Sequence, residues 1–176
     1  MPAAPSQPAR PLDGLVVVDF STLLPGPLAT LMLAEAGAEV IKIERPGGED
    51  MRAYPPFASG ASVPFAMLNR GKASVEIDLK DAGARDRLWP LLTKADVVVE
   101  QFRPGVMDRL GIGYEAILAA NPGVIYCSIT GYGQSGPRAD EAGHDLNYQG
   151  ATGVLALSAG HTVPPTLTAD IAGGTF

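Results

Sequence analysis

The sequence predicts an α/β fold, a Rossmann-like parallel sheet flanked by helices, and three observations carry that prediction. Short runs rich in β-branched residues recur: LVVVD at 15–19, EVIKIE at 39–44, DVVVE at 96–100 and VIYCSI at 124–129. Helix-like stretches lie between them. The runs are continuously apolar rather than alternating, the pattern of strands covered on both faces. Crossovers in such sheets are right-handed, and ligands gather beyond the carboxyl ends of the strands. Those ends are residues 21–25, 45–50, 101–105 and 130–143.

Taken in order, Leu15–Asp19 is the first strand. Pro27–Ala36 follows as a helix, with Pro27 at its first position and Gly37 as its stop. Glu39–Glu44 is the second strand, and the alternating Ser74–Asp78 is a half-exposed one. Asp81–Ala95 reads as a helix capped by Asp81 and kinked or split at Pro90. Asp96–Glu100 and Val124–Ile129 are two further strands, separated by short helices at Pro104–Leu110 and Tyr114–Ala120. A helix over Gly143–Leu157, a turn-rich loop at 158–165 and a new helix near Asp170 complete the chain. The Pro/Ala-rich residues 1–11 read as a flexible tail without a signal-peptide core.

Composition removes several classes of function. Of 176 residues 46% are hydrophobic and 18% charged, which argues against disorder and coiled coil. The net charge of -6 has the wrong sign for a generic nucleic-acid binder. Cys127 is the single cysteine, so neither an intrachain disulfide nor a cysteine-based zinc site is available; its apolar surroundings predict a buried, inert thiol. Two histidines do not make a histidine-rich metal site. The best membrane candidate, residues 20–34, contains Pro25 and Pro27 and falls short of the ~20 apolar residues a span needs. These features predict a soluble, cytoplasmic protein with no metal and no membrane or nucleic-acid partner.

Familiar nucleotide motifs are also missing. The first turn, DFSTLLPGP, has only Gly26 where a dinucleotide fold needs G-x-G-x-x-G, so Glu44 alone does not make a nicotinamide site. RGK at 70–72 lacks the remainder of a P-loop. Cations do recur at strand ends and in loops. For Arg45, Lys72 and Arg109, spacing alone leaves phosphate recognition and ordinary surface charge equally open. In AGHDLNYQ, His144 at a helix start is a usable neutral base, although spacing alone favours a simple cap by His144 or Asp145. Asp170, in TADIAGG, is either an N-cap or a second reactive group; as a pair, His144 and Asp170 could face one carbon from opposite sides.

The blocks LDGLVVVDFSTLLPGPLATLMLAEAGAEVIKIERPGGED, LNRGKASVEIDLK, ADVVVEQFRPGVMDRLGIGYE, ITGYGQSGPRADEAGHDLNY and ADIAGG resemble, in this order, the N-terminal part of family III CoA-transferases (CaiB/BaiF type), a group that includes α-methylacyl-CoA racemases. The resemblance implies that residues 12–176 form the N-terminal part of a CoA-binding, Rossmann-like large domain. It also implies an interlocked homodimer. Family members are much longer, so the chain reads as incomplete. The implied ligand is coenzyme A or its acyl thioester, bound as substrate. The resemblance assigns Leu24 and Pro25 to the turn that meets the CoA and Arg45 to its phosphate or adenine side. It assigns Leu68, Asn69, Lys72, Gln101 and Phe102 to the adenine and pantetheine, and Arg109 to a second phosphate contact. Thr130, Gly131, Tyr132 and Gly133 are assigned to the thioester end. Leu24 stands where some transferases carry Gln. GHDLNY and ADIAGG resemble the racemase subgroup, so the expected activity is 1,1-proton transfer at the thioester α-carbon by His144 and Asp170. The alternatives are CoA transfer between carboxylic acids through an aspartyl-acyl anhydride at Asp170, and a non-catalytic CoA-binding fragment.

Overall fold

The computed structural model describes residues 9–157 and 166–175. Residues 1–8 of the expected tail, and the expected loop at 158–165, lie outside the described residues. In chain order the elements are β1 (Val16–Asp19), α1 (Pro25–Glu35), β2 (Glu39–Glu44), a 3₁₀ turn (Asp50–Ala53), β3 (Phe57–Ala58), β4 (Ala61–Ser62), α2 (Val63–Asn69), β5 (Ala73–Glu76) and α3 (Ala84–Leu92). There follow β6 (Val97–Glu100), α4 (Val106–Arg109), α5 (Tyr114–Ala120), β7 (Ile125–Ser128), α6 (Asp145–Ala151), α7 (Val154–Leu157) and α8 (Thr168–Thr175).

Five strands form one parallel sheet in the order β5-β2-β1-β6-β7, and β3 and β4 make a separate antiparallel hairpin. In register, Val18 of β1 pairs with Ile41 of β2 and Val98 of β6. The strand order reverses between β1 and β6, and in such sheets the crevice at that switch point takes the ligand. The central strands are valine-rich because both of their faces are covered. Val18, Ile43 and Val98 pack on one face with Leu88 and Leu92 of α3 and Ile117 of α5. Val17, Val40 and Val99 pack on the other, with Leu33 and Ala34 of α1.

Several expectations are corrected. Cys127 is exposed, because β7 is the sheet's edge and not one of its covered strands. Its thiol pKa is nonetheless pushed up by partial burial and by the Glu100 charge. Asp81 does not cap α3: Gly83 does, while the Asp81 carboxylate accepts from Arg87 at 2.7 Å. Pro90 neither splits nor ends α3, which closes two residues later. β5 is fully exposed rather than half-exposed. The single helix expected over 143–157 is two, α6 and α7, with left-handed Gly153 between them.

The turn joining β1 to α1 is held by side chains rather than by a glycine-rich backbone. Asp19 accepts from the Ser21 N–H (2.9 Å), Lys42 donates to the Ser21 carbonyl (2.7 Å), and Gln101 donates to the Thr22 carbonyl (2.7 Å). Glu49 accepts from the Leu23 N–H at 2.9 Å. Gly26 is needed for close approach: a Cβ there would lie 2.1 Å from the Ser21 Cβ. Lys72 completes the buried network, donating to Asp19 (3.3 Å), the Thr30 hydroxyl (2.8 Å), the Pro27 carbonyl (2.9 Å) and Asn69 (3.0 Å). Burial outweighs the pull of Asp19 and lowers the Lys72 pKa to about 8.

Helix α8 docks on α1 through Gly174, where a Cβ would come 2.6 Å from the Pro25 carbonyl oxygen. Its first turn is fixed from α6: Asp145, 4% exposed, accepts from the N–H groups of Ala169 (2.7 Å) and Asp170 (3.0 Å). The carboxylate thus offsets the positive end of α8 and satisfies two otherwise unpaired donors. Replacing Asp145 by Ala is expected to cost about 1–3 kcal/mol in denaturant unfolding and to accelerate amide exchange over 168–175 more than over β1.

Glu44 gives the fold an acid limit. Burial pushes its carboxyl pKa up, but bonds from Arg52, the Ser74 hydroxyl and the Glu49 N–H outweigh that and bring it from 4.5 to about 2. The folded pKa lies below the unfolded one, so the stabilisation is present above pH 4.5 and is lost as the pH falls toward 2. With Arg52 40% exposed, solvent screening leaves this contribution at about 2 kcal/mol. Urea unfolding at pH 5 and pH 2.5 is expected to show Glu44→Gln losing less stability than the parent between those values.

Candidate functional site

At the switch point lies a half-open cleft of about 520 Å³. The segment after β1 supplies Leu23 and Pro25, and the segment after β6 supplies Gln101, Phe102, Arg103 and Pro104. Thr130 and Gly131 come from the end of β7, Gly143, His144 and Tyr148 from the approach to α6 and from α6 itself, and Ala169, Asp170 and Gly173 from α8. The cleft therefore stands at the carboxyl end of the sheet, where the chain direction of the crossovers diverges.

His144 and Asp170 are brought to this one cleft from positions distant in the chain. His144 is the exposed N-cap of α6, and the Asn147 side chain accepts from its backbone N–H at 2.9 Å. Asp170 sits in the first turn of α8 rather than at its cap, so the N-cap reading of Asp170 is replaced by capping from Asp145. Burial, and then the nearby Asp145 charge, push the Asp170 pKa up, while His144 counteracts them. The result is a half-buried carboxylate of raised basicity, open to the cleft.

The other residues singled out in the sequence divide. Pro25, Gln101, Phe102, Thr130 and Gly131 line the cleft together with the pair. Gln101 also carries a buried Oε1 that accepts no hydrogen bond among the described residues, beside an amide nitrogen already spent on Thr22. Tyr132 flanks the site through an edge-to-face contact with Tyr148 (5.3 Å between centroids) and lies under the Arg138 guanidinium. Leu24, Leu68, Asn69, Gly133, Lys72, Arg45 and Arg109 do not line this cleft. The Lys72 ammonium is consumed in the internal network, exposed Arg45 pairs with Asp50, and Arg109 lies exposed on α4. None of the three cations weighed as a phosphate set lines this cleft.

Leu23 and Tyr148 were not singled out in the sequence, and neither was α8 as the helix that Asp145 caps. Tyr148 follows His144 by one helical turn, a spacing that puts both on one side of α6. Its hydroxyl donates to the Gly143 carbonyl at 2.8 Å, which fixes the residue before His144. Nothing in the local sequence announces that Asp145 caps a helix more than 20 residues away. Among the described residues, no helix is long and apolar enough to cross a membrane.

The comparisons with known proteins agree with this geometry. The family model for CoA-transferase family III matches residues 12–176. The chain is similar to an acetyl-CoA:oxalate CoA-transferase of Acetobacter aceti, 43% identical over 98% of this chain and 46% of that protein. It is likewise similar to a succinyl-CoA:glutarate CoA-transferase of Mus musculus, 40% identical over 95% of this chain and 40% of the relative. A solved CaiB/BaiF family protein from Brucella suis superposes with a TM-score of 0.88 at 39% identity, covering 96% of this chain and 47% of that one. The chain thus spans less than half the length of these relatives. Taken with the parallel sheet and its switch-point cleft, these matches settle the family: the chain belongs to CoA-transferase family III.

Proposed function

We propose that this chain supplies the nucleophile and part of the acyl-CoA cleft of an enzyme that moves CoA between carboxylic acids. The observation that carries this reading is the half-buried Asp170 carboxylate, of raised basicity, in the wall of the switch-point cleft. An Asp170 oxygen attacks the thioester carbonyl carbon; the C–S bond breaks, CoA leaves as the thiolate, and an aspartyl-acyl anhydride forms. A second carboxylate attacks the Asp170 carbonyl carbon of the anhydride and displaces the first acid as its carboxylate; the CoA thiolate then attacks the acyl carbonyl of the new anhydride, forming the second acid's CoA thioester and releasing Asp170 as a carboxylate. The sequence blocks alone pointed to proton transfer; relatives named as CoA-transferases move the reading to group transfer.

One observation favours the second reading, 1,1-proton transfer: His144 and Asp170 share the cleft. The two readings separate in one set of measurements on the protein as its source organism makes it. With an acyl-CoA present, hydroxylamine is expected to leave a hydroxamate at Asp170, located by mass spectrometry. Asp170→Asn is expected to lower transfer on the order of 10³-fold, and His144→Ala to leave much of it. Deuterium appearing at the α-carbon in D₂O without any trapped adduct, and abolished in His144→Ala, would reject transfer in favour of racemisation. Because the Asp170 pKa is raised, the carboxylate form is lost on acidification sooner than for an ordinary aspartate, so the acid limb of kcat/KM should lie above the ordinary 3.8.

A further inference from the structure

Among the described non-glycine residues only Leu23 and Ser59 have a positive φ, and Leu23, at +62°, forms part of the cleft wall. A branched side chain in the left-handed region is unfavourable unless its surroundings impose it. The constraint here is visible. The Leu23 N–H donates to Glu49 Oε2 at 2.9 Å. Glu49 is 5% exposed, and its other oxygen accepts no hydrogen bond among the described residues but lies 3.6 Å from the Lys42 ammonium. Lys42, 1% exposed, donates to the Ser21 carbonyl at 2.7 Å. The ion pair therefore grips the turn on both sides of Thr22, yet neither member lines the cleft. For a purely structural pair, hydrophobic replacement of both members is often neutral, and nothing in such a role calls for a strained leucine at the ligand wall.

We propose that Lys42 and Glu49 are positioning residues: the buried pair holds Leu23 left-handed, and so sets the apolar wall that Leu23 and Pro25 present to an acyl-CoA ligand. The ligand rests on the function proposed above; the clamp on Leu23 does not.

The test uses the protein as its source makes it, with Lys42→Met/Glu49→Met as the main variant because it leaves no buried charge unpaired. Hydrogen exchange reads the clamp independently of activity. The Leu23 amide is expected to be protected in the parent and to exchange about tenfold faster or more in the double variant, while β1 amides keep their protection. Calorimetry with coenzyme A reads the consequence, with affinity expected to fall about tenfold. In a Leu23→Gly background the same double substitution should cost almost nothing further, because glycine adopts positive φ freely. An unprotected Leu23 amide in the parent, or unchanged exchange in the double variant, overturns the clamp. A full tenfold loss of affinity on top of Leu23→Gly overturns its link to the cleft. Failure of the parent to bind coenzyme A would count against the function proposed above, and the exchange result would still decide the clamp.

Discussion

Two ammonium groups, those of Lys42 and Lys72, are carried out of water at the carboxyl end of the sheet, and burial at that depth obliges them to find partners. The partners are Asp19 and Glu49, together with the carbonyls and hydroxyl of the turn and helix between them. Removing one member would leave its partner charged and buried, at a cost of about 3–5 kcal/mol. The network thereby fixes the path of the chain from β1 into α1. A dinucleotide fold achieves a comparable turn with glycines that let the backbone approach pyrophosphate. Here the turn is shaped by charge instead, and its wall is leucine and proline.

The cleft has a second anchor of the same kind. Asp145 leaves α6 to cap α8, so the element that carries Asp170 is tied to the element that His144 begins. Gly174 brings α8 down onto Pro25, at the start of α1. One end of the cleft is thus set by Lys42, Glu49 and Gln101, and the other by Asp145 and Tyr148. The Asp170 carboxylate lies in the cleft wall between these two groups. That arrangement suits group transfer, in which the nucleophile must meet a carbonyl carbon at close range.

Much of the sheet was legible because burial leaves a direct signature in sequence. β1, β2 and β6 are runs of Val, Ile and their neighbours, and each was located within a residue of its end. The β3–β4 hairpin and α2 were not, since two-residue strands in FASGAS carry no period. Cys127 was misjudged because an apolar run indicates a strand but not whether that strand lies at an edge. Lys72 looked like a ligand cation, and its spatial neighbour Asp19 lies 53 residues away. His144 and Asp170 were legible as a pair that could face one carbon; the Asp145 contact that arranges their meeting depends on tertiary packing that no local pattern encodes.

In the proposed function a thioester carbon sits against Asp170 at the switch point between β1 and β6. A crystal structure of the protein with a slowly reacting acyl-CoA tests it most directly. The account predicts an Asp170 carboxylate oxygen within about 3–3.5 Å of the thioester carbonyl carbon, with the pantetheine arm passing Gln101. A thioester bound elsewhere, with Asp170 facing solvent, would contradict it.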